Sequence, residues 1–372
     1  MLQLKPKVDI IYNITPLCQW DCKVCCVDAI QVSREKNKVI VRSDSLINTE
    51  SFEIKNKPLN PYQEVTERRQ TAKLELNYDE KLKILENLSE FDAKLDISGG
   101  DPLIVDENYK FTVRAAQQFG RENITLTATG RGLTNYKPEQ LVPYIGEFNF
   151  TFDAESSHDV INRPFGYANG NLRFANKMAL LGCNTRAEFP LNKLTATTEH
   201  IERLYIKLHK LKIQKLLLMR LFPVGRGAFL EDSIPSIEQY TKVIMKLREL
   251  ENRYQYPKVS LQCALKHLED SKKKSTSNPC DIVRESFGLM SDGTLLASPW
   301  AINAHGKPLS EEWVLGNLLT NNLGEILQSE KAKVFLANQD KNYGHCKIFA
   351  FIYSNHKNLI DRIFDKSDPI YI

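Results

Sequence analysis

Nothing in the sequence reads as a membrane segment. No stretch approaches the ~20 apolar residues that span a bilayer. The N-terminal MLQLKPKVDIIYNITPLC interrupts its few consecutive apolar residues too soon to form a signal-peptide core. A cytoplasmic protein is the expectation. A charge excess is missing too: 50 Lys and Arg against 46 Asp and Glu leave a net charge of +4, so composition offers no case for nucleic acid. The Lys272-Lys273-Lys274 run sits among Ser, Thr and Asn and reads as a solvated loop. Internal repeats and low-complexity segments are absent. Apolar residues are plentiful, 42% of 372, enough for two domains or one large α/β domain.

Cysteine is concentrated. Four of the eight cysteines fall in CQWDCKVCC, residues 18 to 26, spaced Cys18-x3-Cys22-x2-Cys25 with Cys26 directly behind. In a reducing compartment such a cluster points to metal or redox chemistry rather than to disulfides. Structural zinc takes four ligands, typically as two pairs. Cys22-x2-Cys25 supplies one pair, but a second CxxC or an HxxxH is missing. A thioredoxin-like CxxC leaves Cys18 unexplained. A [4Fe–4S] cube takes one thiolate per iron, so three thiolates in one loop leave one iron open to an exogenous ligand.

Strand and helix patterns alternate over the first 225 residues. Strands are expected at Asp9–Thr15, Lys94–Ser98, Ile124–Thr129, Phe148–Asp153, Arg186–Leu191 and Lys215–Phe222. Helices are expected at Tyr78–Phe91, Tyr109–Phe119, Pro138–Ile145, Asn171–Leu181 and Thr198–Leu211. Six alternations predict a parallel sheet curled toward a barrel with helices outside. Ligands in such folds gather at the C-terminal strand ends, where the cysteine loop, Gly99-Gly100-Asp101, Thr129-Gly130 and Asp153 all fall. From Val27 to Glu75 nearly fifty residues intervene before the first helix. They hold a possible hairpin (KVIVRS, then SFEIKNK) and a Pro58–Pro61 turn, and so read as a substrate-contacting hairpin or a mobile excursion. The tail differs in kind. A helix at Ser236–Tyr254 and a polar linker at Leu268–Pro279 precede a strand–turn–strand, GLMSDGTLLASPW, and a helix at Leu323–Leu336.

Cys18-x3-Cys22-x2-Cys25 after the first strand, and Gly99-Gly100-Asp101-Pro102 after the second, resemble the radical SAM superfamily. The resemblance covers residues 8 to about 230 and, more weakly, 280 to 350. It implies an α/β fold, a partial (β/α)6 TIM-like barrel over residues 1–230 with 27–75 as a long insertion, and a small α+β extension over 231–372. It implies that Cys18, Cys22 and Cys25 ligate a [4Fe–4S] cluster and that S-adenosylmethionine chelates the open iron. Reductive cleavage would then give methionine and a 5′-deoxyadenosyl radical that takes hydrogen from substrate, the cofactor carrying the hard chemistry.

The same resemblance implies roles for further residues. Gly99 and Gly100 would let backbone approach the methionine amine, with Asp101 where Glu is usual. Thr151-Phe152-Asp153 stands where relatives carry Ser-x-Asp, and Arg163 where some hold an Arg that pairs the carboxylate. Val24 takes the position beside adenine, and Thr129, Asn192 and Leu221-Phe222 line the adenosine site. Each of these residues also has an ordinary reading as a cap or core residue.

The tail resembles a degenerate SPASM/twitch extension: Cys280-x12-Gly293-x4 ends on Ser298 rather than Cys, and the later cysteine-rich run is reduced to Cys346. The segments Arg220-Leu-Phe-Pro-Val-Gly-Arg226 and Leu315-Gly-Asn317 also look like that subgroup. Cys263, Cys280 and Cys346 are three possible ligands of a second iron–sulfur cluster with an open or non-cysteine ligand. The preferred reading is a cluster-free domain that binds substrate, since isolated cysteines are often small buried apolar residues.

The resulting expectation is an enzyme that modifies a ribosomally made peptide by cross-linking, epimerisation or thioether formation. An electron donor such as flavodoxin or ferredoxin would serve it. Only 17 residues precede Cys18, so a separate leader-binding protein or the long insertion would recognise the peptide. The alternatives are a small-molecule substrate, such as an amino sugar or nucleoside, and a non-catalytic metal-binding protein. Epimerisation needs a hydrogen donor near the radical, for which Cys26, Cys183 and Cys263 are candidates.

Overall fold

The computed structural model describes residues 5–54, 60–155, 163–269 and 278–371. The Lys272–Lys274 run, Pro58, and the end of the expected SFEIKNK strand lie outside them. Among the described residues, ten strands form one sheet. Its parallel part comprises β1 (Lys7–Thr15), β6 (Asp92–Gly99), β7 (Ile124–Thr127), β8 (Glu147–Thr151), β9 (Asn184–Pro190), β10 (Lys215–Met219) and β11 (Lys258–Leu261). On the other side of β1, β12 (Ser286–Leu289) pairs parallel, and β13 (Thr294–Leu296) and β14 (Val314–Asn317) follow antiparallel. Helices Asp106–Phe119, Tyr167–Leu180, Thr198–Lys210 and Ile237–Tyr254 lie between successive parallel strands, the crossover connections that parallel pairing requires. The fold is mixed α/β with a parallel sheet, consistent with a partial TIM-like barrel.

Alternation along each strand sorts the side chains. Val8, Ile10, Tyr12 and Ile14 of β1, Ala93, Leu95 and Ile97 of β6, and Ala187 and Phe189 of β9 belong to one buried core. The opposite set is polar: Asp96 and Ser98, Thr127, Thr151, Arg186 and Glu188 line an interior cavity. A closed parallel barrel fills this space with branched apolar side chains; here a cavity remains, its wall shared by these polar groups and by Ile11, Leu217 and Met219.

Two expectations change. The sheet has a seventh parallel strand on that side, β11, whose four residues KVSL are too short to show a period. The expected Leu323–Leu336 helix is two helices, Leu323–Gln328 and Glu330–Asn338. Ser329 takes an extended backbone between them and its hydroxyl caps Ala332 N, the competition that keeps Ser out of helix interiors. The tail strands continue the sheet through the pairing of β1 with β12.

The insertion forms a second sheet. β2 (Leu17–Cys18) pairs parallel with β3 (Ile30–Glu35), which continues antiparallel through β4 (Lys38–Ser43) to β5 (Asn48–Glu53). Helix Pro61–Thr71, not anticipated, packs Tyr62 and Val65 against Leu17, Val32 and Val39. The insertion is thereby built onto the strand that carries Cys18.

Candidate active site

Cys18, Cys22 and Cys25 line one cavity of ≈ 320 Å³ at the C-terminal ends of the parallel strands. Gly99, Gly100, Val24, Thr129, Thr151, Arg163 and Leu221 share that wall, as does Cys26. Backbone amides already point at two of the thiols: Trp20 N at Cys18 Sγ, 3.4 Å, and Ala29 N at Cys25 Sγ, 3.3 Å. Burial pushes the Cys22 thiol up to about 12, opposed by the nearby Arg163 guanidinium. Burial, with the charge of Cys25, pushes Cys26 up to about 12 as well.

Among the described residues, no three His, Cys, Asp or Glu side chains converge as a single ion would require. A cube takes one thiolate per iron, so three thiols around a shared cavity fit it.

The glycines act first on protein. Gly99 has φ +124, a conformation L side chains rarely adopt. A Cβ at Gly100 would overlap Leu17 O and lie 2.7 Å from Pro16 O. Gly100 N donates to Thr15 O and Asp101 N to Leu17 O, both at 2.8 Å. The motif thus seats the Pro16–Cys18 backbone while its own backbone faces the cavity.

Other expected residues lie elsewhere. Asp101 is fully buried and turned from the cavity; its Oδ2 accepts Gly132 N at 2.6 Å, and burial raises its carboxyl to about 7. Pro102 is buried beside it and also does not line the cavity. Asn192 closes a turn, its Oδ1 accepting Leu194 N at 2.9 Å and Thr195 N at 3.0 Å. Asp153 lies behind Arg163, whose Nε donates to Oδ1 at 2.9 Å and Oδ2 at 2.8 Å. Arg163 also stands 4.8 Å from the centre of the Tyr167 ring, and Tyr167 meets Trp20 of the cysteine loop edge-on. Cys183 precedes β9, at the opposite strand end, so it cannot give hydrogen to a ligand in the cavity; its thiol contacts Asn184 O. Of the three thiol donors only Cys26 lines this cavity.

Glu188, Arg186 and Asp96 are cavity residues that motif matching missed. Burial raises Glu188 to about 7, with Arg186 opposing, and Arg186 Nη2 lies 3.6 Å from Glu188 Oε1. Their signal is the placing of charge at alternate positions of otherwise apolar strands.

Cys263, Cys280 and Cys346 are not isolated. They line a second cavity of ≈ 100 Å³ together with His345, Lys347 and Ser298. Ile11, Phe222 and Trp300 face both cavities, and Phe222 stacks on Trp300 with centroids 4.7 Å apart.

No family model matches the sequence, and no curated protein matches it. Solved structures do. Native anSMEcpe with bound AdoMet and Cp18Cys peptide is 15% identical, with a TM-score of 0.58 over 90% of this chain and 83% of that one. Streptococcus suis SuiB bound to S-adenosylmethionine is 11% identical, with a TM-score of 0.60 over 96% and 76%. SuiB bound to its precursor peptide SuiA gives 0.58 over 88% and 66%, again at 11% identity. Two of these neighbours hold S-adenosylmethionine and two hold a peptide, and the chain shares their fold.

Proposed function

We propose that the chain is a radical SAM enzyme acting on a peptide. The observation that carries the proposal is the convergence of Cys18, Cys22 and Cys25 with Gly99, Gly100 and Arg163 on one cavity. When bound, the cluster and S-adenosylmethionine supply one electron and a sulfonium whose cleavage yields methionine and a hydrogen-abstracting 5′-deoxyadenosyl radical. The chain's own residues hold and enclose them. Cys18, Cys22 and Cys25 provide three thiolates, and Arg163, oriented by Asp153, offers its remaining guanidinium nitrogens to the carboxylate. Val24 and Leu221 give the adenosine an apolar wall, Thr151 a hydroxyl. The polar floor of Asp96, Arg186 and Glu188 holds the substrate, and Cys26, kept protonated by burial, is the hydrogen donor if the reaction is an epimerisation. Neighbours with peptides bound support a peptide substrate. A peptide deuterated at its reacting carbon should pass deuterium into 5′-deoxyadenosine. Unlabelled 5′-deoxyadenosine, with the peptide mass unchanged, would sink the peptide reading.

A second cluster is part of the same proposal. Cys263, Cys280 and Cys346 meet in one cavity, which supports three ligands there, and the neighbouring Lys347 opposes the burial that raises the Cys280 thiol. The chain should then bind about eight irons, falling to about four in a Cys263/Cys280/Cys346 triple Ala variant. An unchanged count would leave these thiols without iron.

A further inference from the structure

The segment after β10 presses on the cysteine loop. Gly225 has φ +54, and a Cβ there would overlap Cys25 O and lie 2.6 Å from the Cys26 backbone. Arg226 N donates to Cys25 O at 2.9 Å. The Arg226 side chain is only 4% exposed. Its Nε donates to Cys22 O at 2.7 Å, and its Nη1 to Asp28 Oδ1 at 2.9 Å and Ala29 O at 2.8 Å. Asp28 is itself fixed by Ser45 N, at 3.0 and 3.2 Å, in the turn between β4 and β5. One guanidinium therefore gathers the loop from Cys22 to Ala29 and latches the insertion to it.

Arg226 Nη2 is left over. It is buried and has no partner among the described residues, although buried donors are almost always paired. Arg226 lines the cavity that Cys18, Cys22 and Cys25 line. The charges acting on its guanidinium are those of Cys25, then Asp28, then Cys22. A donor so placed lacks only an anionic acceptor.

We infer that Arg226 sets the reduction potential of the cluster held by Cys18, Cys22 and Cys25, its Nη2 donating to a ligand sulfur. The inference rests on the proposed function. Hydrogen bonds to sulfur and net local charge are two of the levers that set such potentials. A cation and donor beside the thiolates favours the reduced, more negative state, so Arg226 raises the potential, and Asp28, facing the same guanidinium, lowers it.

The test is an EPR-monitored redox titration of the anaerobically reconstituted full chain without S-adenosylmethionine. Arg226→Gln should lower the midpoint by about a tenfold change in the reduction equilibrium, ~59 mV for a one-electron couple. Arg226→Lys should fall between, keeping charge without the fork. Asp28→Asn should move the midpoint the other way. Midpoints unmoved, or moved in the same direction by R226Q and D28N, overturn the inference. Loss of the cluster from all three variants also overturns it, leaving Arg226 a loop strut. Failure of the wild-type chain to bind iron through its three cysteines would instead overturn the proposed function.

Discussion

Gly100 and Glu188 show how single residues lining the cavity are constrained. A methyl group at Gly100 would run into Leu17 O and Pro16 O, so Gly100→Ala must displace the strand that presents Cys18. The expected cost is about 1–3 kcal/mol, as for overpacking elsewhere, read by chemical denaturation, with less iron retained after reconstitution. Glu188 carries a pH signature. Its carboxyl rises from the usual 4.5 to about 7 on folding, chiefly through burial. Between those values the folded chain binds the extra proton, so stability falls as pH rises through that window, and the full penalty is present above it. Glu188→Gln should therefore match wild type near pH 4.5 and be the more stable near pH 8. A melting-temperature difference that does not change with pH would contradict the shift.

The end of β10 and the C-terminal segment are joined by one buried pair. Arg220 Nη1 and Asp368 Oδ2 lie 2.8 Å apart, with side chains 1% and 0% exposed, and the guanidinium sits 3.5 Å from the centre of the Phe349 ring. Asp368 Oδ2 also accepts Cys346 N at 3.0 Å, so the pair fixes one wall of the second cavity. Removing one partner strands a buried charge. Asp368→Ala should cost about 3–5 kcal/mol, whereas Arg220→Met with Asp368→Leu should cost far less; urea unfolding of both decides it. Equal losses would show that the charge pairing is not what matters. These elements also mark the limits of the sequence. Apolar runs such as DIIYNIT and KLLLM announce β1 and β10, because one face of each strand packs into the core and apolar residues of the other face line the cavity. Helix Pro61–Thr71 buries only Tyr62, Glu64, Val65 and Thr66, too little apolar surface for a visible stripe. The cysteine and glycine motifs were legible because their spacing is local. The destination of Asp101 was not, since it depends on Gly132 N, and neither was the meeting of Cys263, Cys280 and Cys346, which the tertiary fold alone brings together.

As a whole, the chain arranges two thiol-lined cavities around one sheet, with Phe222, Trp300 and Ile11 between them. The insertion sheet is carried on β2, the strand of Cys18, and the tail continues the parallel strands past β1. No described helix is long and apolar enough to cross a membrane. The central claim is that Cys18, Cys22 and Cys25 together hold the group that opens S-adenosylmethionine. The most direct measurement is 5′-deoxyadenosine released by the anaerobically reconstituted chain under strong reductant, beside a Cys18/Cys22/Cys25 triple Ala variant. Release by the wild type, with none from the folded variant, is the predicted result. A wild type that binds iron and S-adenosylmethionine yet never releases 5′-deoxyadenosine, or a variant that releases as much, would contradict it.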